Sequence, residues 1–336
     1  MKGLTQGKIA GLTAVADERG VIAAAALDQR GLLKKMLAKE MGGKEPGAQT
    51  ISEFKEIVTG ALTRHASAIL LDVEYGLPAI QHRNGKGVLL AYEKSAYDAT
   101  APEYIPIITE GWSALRLQEA GANAVKILLY YTPFEKPSVN VQKQAWVERI
   151  GAECRALDIP LFLELLAYEE QGSAAGPLAW AKRKPDVVIR SIEEFSRERY
   201  GADVLKVEAP VLMPFVPGTQ VYGGEAAYSR EQAVQYFRDA ARATDKPSVY
   251  LSAGVSNQAF IETLEFAAES GVKFHGVLCG RATWQDGVPV FAKSGARALE
   301  DWLNSAGAEN IQRVNRILSA ARSWQECFDL PVPTSA

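Results

Sequence analysis

Short apolar runs rich in Val, Ile, Leu and Ala recur along the chain and alternate with longer stretches of helical periodicity. The runs are VIAAAALD (21–28), AILLDVEYG (68–76), GVLLAYE (87–93), AVKILLYY (124–131), PLFLELLAY (160–168), DVLKVEAPV (203–211), SVYLSAGV (248–255) and FHGVLCGRA (274–282). Runs as continuous as these are typical of parallel strands covered on both faces. The pattern therefore predicts eight parallel β-strands.

Most of the intervening segments place apolar residues at helical spacing. The predicted helices cover 51–66, 109–122, 138–157, 189–201, 229–244 and 256–271, with two more at about 290–306 and 309–326. Thr109 is a predicted N-cap, and Gly121 suits the position that follows the end of the same helix. Ser229 is predicted to form a capping box with Gln232, and Ser256 to act as a simple N-cap.

Two stretches depart from this alternation. LPAIQHRNGKG, between the second and third runs, is too short for a crossover helix and predicts a loop or tight turn. The stretch 167–186 is the least regular of the chain and follows a strand, so we predict a loop on the active-site face of the fold.

Eight alternating strands and helices, joined by right-handed crossovers, favour one α/β domain over residues 1–336. The expected fold is a single (β/α)8 TIM barrel with extra N- and C-terminal helices. A doubly wound open sheet is the alternative, but no G-x-G-x-x-G motif follows a strand.

Composition and charge remove several classes of function. The chain has 336 residues, 47% of them hydrophobic, and a formal net charge of −3, so neither nucleic acid nor an anionic membrane is an expected partner. The N-terminus does not have the pattern of a signal peptide, and no apolar stretch is long enough to span a bilayer. Three widely spaced cysteines fit no disulfide or zinc pattern. We therefore expect a soluble cytoplasmic protein.

The most informative polar residues are lysines inside apolar runs. Val204, Lys206 and Glu208 share one face of their predicted strand, because successive side chains alternate. The same alternation turns Lys126 and Glu164 inward, so two lysines and a glutamate should meet in one barrel mouth. Lost hydration and a second cation both lower the pKa of a lysine, which would make Lys206 a nucleophile able to form a Schiff base. Glu164 could then transfer protons.

Other interpretations of these residues remain open. Lys206 could be a rim residue or salt-bridge partner, and Lys126 could be only the charge partner of Glu164 or Glu208. Asp72 and Glu74 could belong to ion pairs inside the barrel. Cys279 is more typical of a small buried hydrophobe than of a reactive thiol.

The last two runs predict an anion site. LSAGV (251–255) leads into a helix, and VLCGRA (277–282) brings Gly280 and Arg281 to the next strand end. Small residues let backbone N–H groups approach an anion, and an arginine adds charge-assisted hydrogen bonds. In the alternative interpretation the glycines only turn the chain, and Arg281 pairs with a neighbouring acid.

Metal chemistry has weaker support. The histidines His65, His82 and His275 are scattered and form no spaced ligand pair. A magnesium site held by carboxylates remains open, and its candidate ligands are Asp72, Glu74, Glu164 and Glu208.

Several segments, taken together and in order, resemble the class I tagatose 1,6-bisphosphate aldolases over about residues 4–325. They are IAAAALDQRGLLKKM, FLELLAY, ADVLKVEAPV, YLSAGV and KFHGVLCGRATW. The resemblance implies a TIM-barrel enzyme that needs no metal or other cofactor. It also implies reversible cleavage of a ketohexose 1,6-bisphosphate to dihydroxyacetone phosphate and glyceraldehyde 3-phosphate.

The resemblance also assigns roles to individual residues. It implies that Lys206 is the Schiff-base lysine, Glu164 the proton-transfer residue and Lys126 a second active-site lysine. The implied substrate-binding residues are Asp28, Gln29, Arg30, Ser252, Gly254, Gly280 and Arg281.

Some choices stay open at this point. The preferred stereoisomer among the ketohexose bisphosphates is one. The family is also similar to sulfofructose phosphate aldolases, for which Arg30 or the basic stretch 182–184 could provide the second anion pocket. Other possibilities are a magnesium-dependent lyase or isomerase and a non-catalytic sugar-phosphate sensor. The C-terminal helices around Trp302, Ile311 and Trp324 could pack on the barrel or on another subunit of a homodimer or larger homo-oligomer.

Overall fold

The computed structural model describes residues 3–94, 103–170 and 176–332, and these residues form a closed barrel of eight parallel strands. The strands are β1 (Ile22–Leu27), β2 (Ala68–Asp72), β3 (Gly87–Ala91), β4 (Ala124–Tyr131), β5 (Leu161–Ala167), β6 (Val204–Val207), β7 (Ser248–Leu251) and β8 (Gly276–Cys279). Each strand pairs with the next, and β8 pairs with β1. The predicted TIM barrel is confirmed, and the open sheet is wrong because the last strand closes on the first.

The described part of the chain also contains helices between and beyond the strands. They are α1 (Gln6–Val15), α2 (Gly31–Glu40), α3 (Ala48–Leu62), α4 (Ala114–Glu119), α5 (Pro137–Ala156), α6 (Pro177–Phe195), α7 (Arg230–Arg242), α8 (Asn257–Glu269), α9 (Arg281–Trp284), α10 (Gly287–Trp302) and α11 (Ala308–Ile317). A single 3₁₀ turn, Pro78–His82, lies between β2 and β3, as the short link predicts. No helix in the described ranges is long and apolar enough to cross a membrane.

Alternation along the strands separates two apolar layers. Val204 packs inside the barrel with Phe162 and Ala124, while Leu205 and Val207 belong to the layer between the strands and the helices. This confirms the predicted orientation of β6. Lys206 therefore points into the barrel.

Both terminal regions close the base of the barrel. Leu12 and Val15 of α1 pack against the inward-facing strand residues, and so does Trp324 near the other end of the chain. The backbone N–H of Trp324 donates to the carbonyl of Gly20, just before β1. The extra terminal helices are confirmed, and Ile311 and Trp324, 2% and 1% exposed, pack on their own barrel.

Helix α6 corrects two sequence expectations. It starts twelve residues before the predicted helix 189–201 and occupies half of the stretch 167–186 that was expected to be a loop; residues 171–175 of that stretch lie outside the described residues. Pro185 lies inside α6, where it cannot donate to the carbonyl of Ala181. The hydroxyl of Tyr228 donates to that carbonyl instead. The helix tolerates its proline because a distant residue replaces the lost hydrogen bond.

The predicted helix caps are mostly confirmed. Ser229 and Gln232 form the capping box of α7, and Ser256 accepts from the N–H of Ala259 at the start of α8. Thr109 is wrong as the cap of α4, because this helix begins later and is capped by Ser113.

Candidate active site

Lys206, Glu164 and Lys126 meet inside the barrel, as the alternation predicts. Glu164 and Lys206 lie directly opposite each other on β5 and β6. The Nζ atoms of Lys206 and Lys126 each lie 2.8 Å from Oε2 of Glu164, so one carboxylate oxygen serves two ammonium groups. All three residues are at most 6% exposed.

Lys126 is surrounded by carboxylates. Its Nζ lies 2.8 Å from Oδ2 of Asp28 and 2.8 Å from Oε1 of Glu93, in addition to Glu164. Burial alone would lower the pKa of Lys126, but these three charges outweigh it and raise that pKa well above its ordinary value. In return, burial would raise the pKa of Asp28, but the charges of Lys126, Lys206 and Lys55 together lower it. Lys126 thus remains an ammonium ion at neutral pH, which suits a positioning charge and not a nucleophile.

Lys206 is in a different position. Within the described ranges its only carboxylate ion-pair partner is Glu164. An amine must be neutral to attack a carbonyl carbon, and Glu164 is placed to accept the ammonium proton. The geometry therefore separates the two lysines: three carboxylates surround Lys126, whereas one contacts Lys206.

Four neighbouring residues present buried polar atoms that make no hydrogen bond with the described protein. These atoms are Oδ1 of Asp28, Oε1 of Gln29, Nε and Nη1 of Arg30, and Oε2 of Glu93. The other terminal nitrogen of Arg30 donates to the backbone carbonyl of Glu93. Buried polar groups are normally satisfied, so this concentration of donors and acceptors fits a polar ligand. Sequence reasoning located Glu93 at a strand end but did not place it in the site.

The loops after β7 and β8 bring together the residues of the predicted anion site. Ala253 and Gly254 have φ angles of 45° and 76°, and the guanidinium of Arg281 lies against Gly254. A Cβ atom on Gly254 would lie only 2.1 Å from Nη2 of Arg281. Glycine is thus required both for the backbone conformation and for the approach of the arginine.

Arg281 carries no ion pair with any acid of the described residues, so the interpretation that it pairs with a neighbouring carboxylate is not supported. Burial lowers the pKa of its guanidinium, since the charged form loses hydration. Ser252, 5% exposed, completes this side of the site. A partly desolvated cation beside open backbone is suited to an anion such as a phosphate.

Of the other candidate carboxylates, Glu74 is exposed, and the remaining two are held by lysines. Lys55, fully buried, pairs with Asp72, and Lys184 lies 3.2 Å from Oε1 of Glu208. The described residues contain no group of three or more His, Cys, Asp or Glu side chains arranged to hold a metal ion. The arrangement gives the magnesium alternative no support.

The basic stretch 182–184 does not form a second anion pocket. It lies in α6, where Arg183 pairs with Glu170 and Lys184 with Glu208, while Lys182 is exposed. Cys279 is 1% exposed, and burial raises the pKa of its thiol to about 12, which fits a small buried residue.

The lysine, acid and anion groups line one cavity of about 380 Å³ at the carboxyl ends of the strands. Other cavities, of about 490 and 660 Å³, lie elsewhere on the surface. Size alone does not identify the site. The smaller cavity contains the convergent charges and the unsatisfied polar atoms, and this barrel end carries the active site in TIM-barrel enzymes.

Comparison with known proteins identifies the family of the chain. The family described as "DeoC/LacD family aldolase" matches residues 22–286. The chain belongs to this aldolase family. Similar curated proteins include tagatose 1,6-diphosphate aldolase 2 of Enterococcus faecalis, 49% identical over 96% of each chain. The aldolase is also 48% identical to tagatose 1,6-diphosphate aldolase of Listeria monocytogenes, over 94% of this chain and 92% of that one.

A third relative of the aldolase is tagatose 1,6-diphosphate aldolase 2 of Streptococcus mutans. It is 50% identical, over 96% of this chain and 98% of its own length. Both the family and these relatives confirm the resemblance predicted from the sequence.

Proposed function

We propose that the protein is a class I aldolase that reversibly cleaves D-tagatose 1,6-bisphosphate to dihydroxyacetone phosphate and glyceraldehyde 3-phosphate. The observation that carries this proposal is the Lys206–Glu164 pair, 2.8 Å apart in a cavity that also holds a desolvated arginine. The names of the relatives support the choice of sugar.

In this mechanism Glu164 takes a proton from the ammonium of Lys206, and the neutral amine attacks C2 of the ketose. Glu164 then returns this proton and the nitrogen gives up another, so that the C2 oxygen leaves as water and an iminium ion remains. Glu164, as a carboxylate, takes the proton of the C4 hydroxyl. The electrons of that O–H bond form the C4 carbonyl, the C3–C4 bond breaks, and its electron pair moves into the iminium to give an enamine. Glu164 then supplies the proton to C3, and hydrolysis releases dihydroxyacetone phosphate from Lys206.

The remaining side chains orient the two ends of the substrate. Arg281 and the backbone at Gly254 and Gly280 would hold the C1 phosphate, as loops after the last two strands commonly do in this fold. Arg30, only 2% exposed and with two unsatisfied nitrogens, would meet the distal phosphate or a sulfonate in the same place. Asp28, with Gln29, would accept or donate hydrogen bonds to the sugar oxygens.

Borohydride trapping tests the covalent step. The enzyme is incubated with dihydroxyacetone phosphate, reduced, and mapped by intact-mass and peptide analysis, with and without EDTA. We expect one reduced adduct on the peptide that contains Lys206, unaffected by EDTA, and no adduct in Lys206→Met. An adduct on Lys126, or none at all in the wild type, would contradict the mechanism.

A parallel assay separates the substrates. Cleavage is followed with the 1,6-bisphosphates of tagatose and fructose and with sulfofructose phosphate. Faster cleavage of the sulfonate would favour the sulfofructose alternative. Sugar-phosphate binding without any adduct or cleavage would favour the sensor.

A further inference from the structure

Tyr130 lies in the wall of the active-site cavity, and the mechanism above does not use it. Along β4 its side chain follows Lys126 and Leu128 on the inward-facing side, and all of these inward positions except Lys126 line the cavity. Its neighbours Leu129 and Tyr131 belong instead to the layer between strands and helices. Tyr130 therefore lies two inward-facing positions nearer the carboxyl end of β4 than Lys126.

Tyr130 lines the same cavity as Glu164, Glu208 and Arg281. Burial, followed by the charge of Glu164, raises the pKa of this phenol, and Glu208 acts in the same direction, while Arg281 opposes them. The phenol therefore remains protonated at neutral pH and can act as a hydrogen-bond donor. Tyr130 thus shares its cavity with the proposed proton-transfer residue and with the arginine of the proposed anion site.

The ring of Tyr130 is also held in place. It stacks on Tyr104, with ring centroids 4.7 Å apart, and Tyr168 packs edge-on at 6.5 Å. The hydroxyl of Tyr168 donates to Glu135 and accepts from the buried amine of Lys143, both at 2.9 Å. A fixed donor costs little reorganisation when charge develops beside it.

We propose that Tyr130 is a catalytic residue whose hydroxyl donates a hydrogen bond to the C4 oxygen of the substrate. This inference rests on the proposed Schiff-base mechanism. As Glu164 removes the C4 hydroxyl proton, negative charge builds on that oxygen before the carbonyl forms. Tyr130 stabilises this charge and keeps its own proton, so Glu164 remains the only base. In the reverse direction the same hydroxyl polarises the aldehyde carbonyl.

This role can be separated from Schiff-base chemistry because dihydroxyacetone phosphate has no C4 oxygen. The enamine it forms on Lys206 exchanges the C3 proton with solvent through Glu164 alone. We therefore expect Tyr130→Phe to lower kcat/KM for cleavage of the hexose bisphosphate by about 100- to 1,000-fold, the order found when one oxyanion donor is removed. Deuterium exchange at C3 of dihydroxyacetone phosphate and borohydride trapping should stay within about twofold of the wild type.

Tyr131→Phe is the matched control. Tyr131 is the next residue, its ring packs edge-on against Phe195, and its hydroxyl accepts from Gln144 outside the cavity. This control should cleave the substrate at the wild-type rate.

Two outcomes would overturn the inference. One is a Tyr130→Phe variant that cleaves the bisphosphate like the wild type. The other is an equal loss of cleavage and of C3 exchange, which would place the role of Tyr130 at the Schiff base and not at C4. Failure of the proposed function is distinct, because the wild type itself would then show neither adduct nor exchange.

Discussion

Replacing Lys126 by methionine removes the charge that three buried carboxylates share. The ammonium is fully buried and lies 2.8 Å from an oxygen of each of Asp28, Glu93 and Glu164. Methionine has a similar volume, so the main loss is electrostatic. Removing one partner of a buried ion pair costs about 3–5 kcal/mol, because the other charge is left uncompensated. We expect Lys126→Met to lower the free energy of unfolding by this amount at pH 7.5.

The pH dependence of the free energy of unfolding tests the same substitution independently. In the wild type the pKa of Asp28 is lowered by Lys126, so its contribution is present above the unfolded-state pKa and is lost as the pH falls through the folded value. Without Lys126, burial is opposed by the charges of Lys206 and Lys55 but no longer by its strongest partner, and we expect the pKa of Asp28 to rise above its unfolded value. The native variant then gains a proton before the unfolded chain does, and its deficit in stability should shrink between pH 7.5 and pH 5.

Urea unfolding followed by circular dichroism at both pH values measures the two effects. Lys94→Met is the control, since Lys94 forms an exposed pair with Glu110 at 3.4 Å, and exposed pairs contribute about 0–1 kcal/mol. Adding Asp28→Asn to Lys126→Met should recover part of the loss. A Lys126→Met protein as stable as the wild type, or one whose deficit grows toward pH 5, would refute the electrostatic account.

Two further predictions concern the anion loop and the base of the barrel. Gly254→Ala should raise the KM for the bisphosphate at least about tenfold, because the new Cβ displaces Arg281 and a charge-assisted hydrogen bond contributes about 1.5–3 kcal/mol. The control is Gly42→Ala, which is also at positive φ but has no atom within 4 Å of its Cβ. An equal KM in both variants would contradict this role of Gly254. His275 is buried and its pKa is lowered to about 4, so the unfolded chain binds a proton first as the pH falls from about 6.5, and about 3 kcal/mol of stability should be lost by pH 4. The free energy of unfolding, measured by urea titration at each pH, should fall less between pH 6.5 and pH 4 in His275→Gln than in the wild type. An equal fall in the two proteins would contradict this role of His275.

The inward-facing site residues could be predicted because strand alternation is local. Lys206 alternates with Leu205 and Val207, and the apolar pair takes the face toward the helices. This orients Lys206 without any tertiary information. Glu93 shows where this reasoning ends. It lies beyond the last residue of β3, and only the pairing of Ala91 with Lys126 brings its carboxylate to the ammonium.

Helix α6 could not be predicted for a related reason. Pro185 is a local signal against a helix, and the residue that compensates for it, Tyr228, is far away along the chain. The basic stretch 182–184, just before Pro185 in α6, was likewise a candidate anion site from the sequence. Its acidic partners Glu170 and Glu208 reach it only once β5, β6 and α6 are packed together.

The closure of the barrel base by residues from both ends of the chain affects the order of events during synthesis. Leu12 and Val15 emerge from the ribosome early, whereas Trp324, which packs with them on the same inward-facing residues, emerges last of the three. Until it does, the lower end of the barrel interior stays in contact with water. The nascent chain can therefore assemble its strands, including those that carry Lys126 and Lys206, while its interior remains unsealed, and a chaperone that recognises exposed apolar surface has that whole interval in which to bind.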